Sequence, residues 1–137
     1  MNRFEPYAPT ILRVALGLVY LFHSAYLKIA IFTIDGTVGF FQSIGLPGFA
    51  AYLVLFIEIV GGVMLILGIR VREASLALVP VALGALWVHS GNGWLFTNEG
   101  GGWEYPAFLA IVTAVQALLG PGALSLRLPR QAAASPG

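Results

Sequence analysis

Apolar residues fall into four long blocks separated by short polar or glycine-rich breaks. The first covers residues 10–32 and the second 49–69. The third covers 74–89, with an apolar continuation toward 95, and the fourth covers 105–119. The blocks are continuous rather than striped, and most approach the roughly 20 apolar residues that a helix needs to cross a bilayer core. The pattern predicts four membrane-spanning helices. Pro6 and Pro9 precede the first, and Thr10 stands where it can cap it. Residues 33–47 contain Asp35, Gly36, Gly39, Gly45 and Pro47, which break the helix. Phe40, Phe41 and Ile44 predict a short interfacial helix within that break. Arg70-Val71-Arg72-Glu73 is a tight charged turn, and Pro80 predicts a kink that neighbouring helices can accommodate. Residues 90–102 form a polar, glycine-rich loop, and Gly120-Pro121-Gly122 stops the fourth helix.

Composition supports this reading. The 137-residue chain is 58% hydrophobic and 9% charged, where a soluble domain carries about 25% charged residues. The expected architecture is an all-α, integral membrane four-helix bundle forming one domain over residues 1–126. Residues 127–137, small, polar and proline-containing, form an expected disordered cytoplasmic tail. The first block has no small-x-small cleavage site after it, so it reads as a span rather than a cleaved signal. The absence of Cys excludes thiol catalysis, disulfides and Cys-ligated metal centres within the chain. No basic run suggests nucleic-acid binding.

Charge is distributed unevenly. Four spans place Arg3, Arg13, Arg70, Arg72, Arg127 and Arg130 on one side and only Lys28 on the other. By the positive-inside rule both termini face the cytoplasm. The opposite side carries Asp35, Glu99 and Glu104, with Trp87, Trp94, Phe96, Trp103 and Tyr105 as an aromatic belt.

Arg13, His23, Lys28, Glu58, His89 and Glu104 lie within or at the rim of the lipid-soluble blocks. Such groups are costly at membrane depth, so they face a bundle interior, a cavity or a partner. Glu58, mid-span and followed by Gly61 and Gly62, reads either as a proton- or ligand-binding carboxyl or as a packing group. The small residues let a helix or a flat ligand come close. His23 and His89 are candidates for a proton relay or a quinone-binding pair. No ligand pair at i, i+4 spacing supports a metal site. Lys28 reads as an orientation anchor at the outer end of its helix. Arg13, about one turn deep, is placed to pair with Glu58 or with a lipid phosphate, and Tyr20 shares its face. Asn92 and Glu104 flank the outer loop and are expected to close it over a pocket with His89 and Trp residues. Leu21-Phe22-His23-Ser24 resembles Trp87-Val88-His89-Ser90, a hint of a parallel internal repeat.

Several blocks resemble the DoxX family of membrane proteins. The first is Leu12-Arg13-x-Ala15-Leu16-Gly17-Leu18-x-x-Leu21-Phe22-His23-x-x-x-x-Lys28. Others are Ile44-Gly45-Leu46-Pro47, Glu58-x-x-Gly61-Gly62-x-x-Leu65-x-x-Gly68-x-x-x-Arg72, His89-x-x-Asn92-Gly93-Trp94 and Gly101-Gly102-Trp103-Glu104-Tyr105-Pro106. The last is Leu119-Gly120-Pro121-Gly122-x-x-Ser125-Leu126. The resemblance implies a four-helix protein of a bacterial or archaeal inner membrane, associated with quinone-linked oxidoreductases, including thiosulfate:quinone and terminal quinol oxidase systems. The lack of Cys argues against the related branch tied to disulfide chemistry. The expected function is a small membrane subunit of a quinone oxidoreductase complex. In that reading Glu58, His23 and His89 handle protons, while Tyr20, Trp87, Asn92, Trp94, Glu104 and Arg13 contact the quinone. Membrane lipid and a larger complex or homo-oligomer are the expected partners, and a partner would carry the electron donor. A non-catalytic anchor or assembly subunit is one alternative. A small-molecule transporter, working as an oligomer, is another.

Overall fold

The computed structural model describes residues 2–126; the expected tail at 127–137 lies outside the described residues. A 3-10 turn, Glu5–Tyr7, leads into helix α1, Ala8–Leu21, which continues without a break as a π-helical segment, Phe22–Ile31. Helices α2 (Ile34–Ser43), α3 (Gly48–Leu67), α4 (Val71–His89) and α5 (Glu104–Leu119) follow. No strand occurs among the described residues. The segments Glu5–Ile31, Gly48–Leu67 and Val71–His89 are long and apolar enough to cross a membrane. α5, with 16 residues, rises only about 24 Å and needs tilt-free packing or local thinning of a core about 30 Å thick. α2 is the short helix predicted between the first two spans.

Local details differ from the sequence reading. Thr10 does not cap α1, which begins at Ala8 with Pro9 in its first turn and no side-chain cap. The Thr10 hydroxyl instead donates to the Ala123 carbonyl, far along the chain. α4 stops at His89 rather than running toward 95, because Gly91 and Gly93 follow in a turn. Pro80 lies inside α4 on its exposed side, and the helix continues through it.

α1 packs on α3, α3 on α4 and α4 on α5, with a lighter contact from α5 back to α1, and α2 lies across α3 and the π segment. The core contains Leu16, Tyr20, Leu65, Val71, Ala74, Leu78, Ala82, Leu109 and Ala110. Many large apolar side chains point outward instead, among them Ile11, Phe56, Leu76, Phe108 and Leu118, the arrangement a lipid solvent requires. Without a hydrophobic drive between helices, close backbone approach matters most. Gly61 and Gly62 supply it on two sides of α3. A Cβ on Gly62 would sit 3.0 Å from Leu21 Cγ and 3.1 Å from the Gly17 carbonyl, and one on Gly61 would sit 3.0 Å from Leu78. The small pair therefore admits α1 and α4, not a ligand.

On α1, a Cβ at Gly17 would lie 2.6 Å from the Gly62 carbonyl oxygen, where only backbone could give way. Gly17→Ala is expected to destabilise the bundle by about 1–3 kcal/mol through overpacking. Gly84→Ala meets nothing within 4 Å and is expected to gain about 0.5–1 kcal/mol from helix propensity. Thermal unfolding of both variants in detergent checks the contrast.

The N-terminus, the α3–α4 turn and the segment after α5 gather at one end, termed the arginine end. The end of the π segment, α2 and the 90–103 loop form the other, termed the loop end.

Candidate functional site

The Gly17–Gly62 contact sets the antiparallel register of α1 and α3. It brings Leu21 against the turn of α3 that carries Glu58, and Arg13 against the last turn of α3. Glu58 is thus held mid-span with its side chain 5% exposed. Lys28 reaches it from the π segment. Its ammonium donates to both carboxylate oxygens, at 2.7 Å to Oε1 and 2.6 Å to Oε2. A carboxylate at this depth is tolerable only when paired or protonated, and removing either partner leaves a buried charge uncompensated. Lys28, 20% exposed, is therefore not a free surface anchor.

The π geometry shapes this site. At about 100° per residue, groups five apart on an α-helix diverge by about 140°. When bonds run from i to i+5 they stand one turn apart instead. His23 and Lys28 are so spaced, and the Phe32 amide bonds to the Leu27 carbonyl at 2.9 Å. Side chains mark where the helix widens. His23 Nδ1 lies 2.9 Å from the Val19 carbonyl, and the Ser24 hydroxyl donates to the carbonyls of Tyr20 and Leu21. Such back-bonding competes with the backbone ladder. At the far end the Thr37 hydroxyl, 4% exposed, donates toward the Lys28 and Thr33 carbonyls at 2.9 Å. It ties α2 to the residue that carries the ammonium.

Because the Val19 carbonyl can only accept, His23 Nδ1 carries hydrogen, and a neutral ring presents an Nε2 lone pair. The His23 ring stacks on Tyr105 with centroids 5.9 Å apart and planes 15° from parallel. Tyr20 is enclosed in the core at 1% exposure, its hydroxyl 2.8 Å from Thr113 Oγ1. Thr113 donates its own hydrogen to Leu109, so Tyr20 is the donor of that pair.

Beyond Tyr105 the loop end opens into a cleft of about 470 Å³ lined by Trp94, Phe96, Glu104, Tyr105 and Phe108. Trp94 meets Trp103 edge-on, with centroids 4.6 Å apart. The Trp103 and Glu104 amides bond to the Gly93 and Trp94 carbonyls, fastening the loop to the start of α5. Glu104 Oε1 accepts only a long contact, 3.4 Å, from the Phe96 amide. Its carboxylate is otherwise available.

His89 is not brought to Glu58. Its ring lies under Gly101, whose Cβ would come within 3.2 Å of it, and its Nδ1 is 2.7 Å from the Ala85 carbonyl. Asn92 donates to the Gly100 and Gly101 carbonyls and closes the same loop. Trp87 stands on the outer surface of α4, 58% exposed. The two His-Ser pairs nevertheless fold alike: each His bonds the carbonyl four residues back, and each Ser the carbonyl three back.

Arg13 does not pair with Glu58. The helix register sets it about two turns away, 1% exposed at the arginine end. Its five N–H groups are all used: Nε on Pro121, Nη1 on Leu65 and Ile66, and Nη2 on Ala123 and Leu124, at 2.7–3.2 Å. Leu65 and Ile66 supply carbonyls that the end of α3 leaves without helical partners. The neighbouring Met64 and Leu67 carbonyls accept from the amides of Gly68 and Ile69, and of Leu126. The guanidinium thus also answers the negative end of the α3 dipole.

Sequence reasoning missed Lys28 as the partner of Glu58, together with Thr37, Tyr105 and Thr113. One signal pointed to Lys28: it is the basic residue on the α1 face beyond Glu58, on the side away from Arg13.

These features define a multi-pass helical membrane protein with a charged pair held between its spans. The chain belongs to the DoxX family, whose profile matches residues 8–91. That stretch includes Arg13, His23, Lys28, Glu58 and His89, while Glu104 and Tyr105 lie beyond it. The chain is 33% identical over 87 residues to a Bacillus subtilis (strain 168) protein named "putative oxidoreductase CatD". The alignment covers 63% of this chain and 62% of that protein, so the chain spans less than two thirds of the relative's length. No solved structure matches.

Proposed function

We propose that the chain is a small inner-membrane subunit of a quinone-linked oxidoreductase, with the arginine end facing the cytoplasm. The observation that carries this reading is the mid-span Lys28–Glu58 pair, with His23 on the same π segment as Lys28 and stacked on Tyr105, which lines the loop-end cleft. Aromatic walls fit a flat headgroup, and the Glu104 carboxylate would accept from the hydroxyl of its reduced, quinol form. Bound there, a quinone would supply two-electron chemistry that requires protons. Tyr105 would form one wall and orient the ring. His23 Nε2 would accept or return a proton, and Glu58, exchanging Lys28 for that proton, would store it. The DoxX family membership and the oxidoreductase name of the relative support a redox association.

The test is titration of the purified full chain with a short-chain quinone, read by tryptophan emission. Saturable quenching is expected, because Trp94 lines the cleft, with at least tenfold weaker binding in Tyr105→Ala. Quenching that rises linearly and equally in both proteins would overturn the proposal. A second reading, a non-catalytic anchor, is favoured by the mutual satisfaction of Lys28 and Glu58, which packing alone would require.

A further inference from the structure

The outer surface carries a second feature, independent of the cleft. A groove runs between α3 and α4 from mid-span to the arginine end, lined by Phe56, Ile57, Val60, Gly61, Met64, Ala74 and Ala77, with Arg70 and Glu73 at its mouth. Its walls are apolar and its floor small. Arg70 is more than half exposed and holds Glu73 by a single 3.5 Å contact between solvent-accessible groups, which is worth little. Its guanidinium is free to take a stronger anion. Arg72 is exposed beside it on the first turn of α4, where no side chain caps the helix.

We infer that this groove holds an acyl chain of an anionic phospholipid, with the lipid phosphate on Arg70. Charge complementarity selects this occupant. The arginine end exposes Arg3, Arg70 and Arg72 against Glu5 and Glu73. At the loop end Lys28 is committed to Glu58, leaving Asp35, Glu99 and Glu104. An anionic headgroup is therefore attracted to one end only, where basic residues near a membrane surface bind acidic lipids. A guanidinium suits the phosphate because its fork matches two oxygens. The apolar channel continues from that charge toward the bilayer centre, the direction an acyl chain takes from its headgroup. Ala77, exposed on the α4 wall, leaves a width that a larger residue would close.

Two variants separate charge from shape. Arg70 has φ 44°, a conformation asparagine tolerates, so Arg70→Asn removes the charge while keeping the turn. Ala77, exposed on α4, can become Phe and fill the groove without entering the core. The purified full chain is presented with phosphatidylglycerol or phosphatidylcholine in mixed micelles, and retained lipid is counted by native mass spectrometry. Expected is retention of one phosphatidylglycerol per chain at concentrations where phosphatidylcholine is lost. Arg70→Asn is expected to weaken phosphatidylglycerol retention about fivefold, and Arg70→Lys to keep most of it. Ala77→Phe is expected to abolish it with an unchanged melting temperature. Equal retention of the two lipids, or retention unaffected by Arg70→Asn, would overturn the inference. So would a dimer that Ala77→Phe dissociates, which would assign the groove to a second copy of the chain.

Discussion

Replacing Arg13 with methionine is expected to cost at least about 3 kcal/mol, since hydrogen bonds from a charged group contribute about 1.5–3 kcal/mol each and five are lost together. Against a typical total of about 5–15 kcal/mol, that is a large share of the margin. Five carbonyls would lose the guanidinium, from the last turn of α3 and from the segment after α5, and of these Ala123 would still accept from Thr10. An unsatisfied carbonyl in a region that water reaches poorly is penalised heavily. Arg13→Lys should recover little, because an ammonium has three donors and no planar fork. The surroundings also fit the guanidinium closely: a Cβ on Gly68 would lie 3.0 Å from Arg13 Cζ and 2.7 Å from Ser125 Cα. Gel filtration and thermal unfolding in detergent measure the effect. Wild-type elution and melting of Arg13→Met would contradict it.

The second large effect concerns Lys28 and Glu58. Lys28→Met leaves a carboxylate 5% exposed, and is expected to cost about 3 kcal/mol or more. Glu58→Gln leaves an ammonium that is 20% exposed on a flexible stem able to reach the interface, so a smaller loss is expected. The double change Lys28→Met with Glu58→Leu removes both charges and is expected to restore stability close to that of the wild type. A double-mutant cycle on unfolding free energies reads the coupling directly. Additive losses would show that the two side chains do not form a pair of energetic consequence. Stability and function are expected to part company in the double variant, since packing is regained while the carboxylate proposed to exchange protons is not.

Much of the architecture is legible in the sequence because apolar run length and glycine or proline breaks speak directly to spans and turns. The interfacial α2 follows from Phe40, Phe41 and Ile44 within a glycine-rich break, and α5 starts within a residue of its predicted position. The pairings are less legible. Arg13 and Glu58 look like complementary charges on neighbouring helices, but the partner of each depends on register. Register was set by the contact of Gly17 with Gly62, which neither glycine announces alone. The partners of Arg13 are backbone carbonyls, which have no sequence signature at all. The π segment is equally silent, since Phe22–Ile31 has the composition of an ordinary span. Only the back-bonding of His23 and Ser24 shows where the helix widens. His89 and Asn92 stand in a motif that reads like a site, yet here they tie the loop from Ser90 to Gly101. Tyr105, next to the singled-out Glu104, is the residue that touches His23.

The proposed function requires that Glu58 change protonation when an added quinone is reduced or oxidised. Infrared difference spectra of the full chain, reconstituted with a short-chain quinone and reduced electrochemically, report this directly. The expected result is a carboxyl C=O band that differs between the oxidised and reduced quinone, shifts in deuterium oxide and vanishes in Glu58→Gln. A spectrum with quinone bands but no Glu58-dependent carboxyl signal would contradict it, leaving the pair with a role in packing alone.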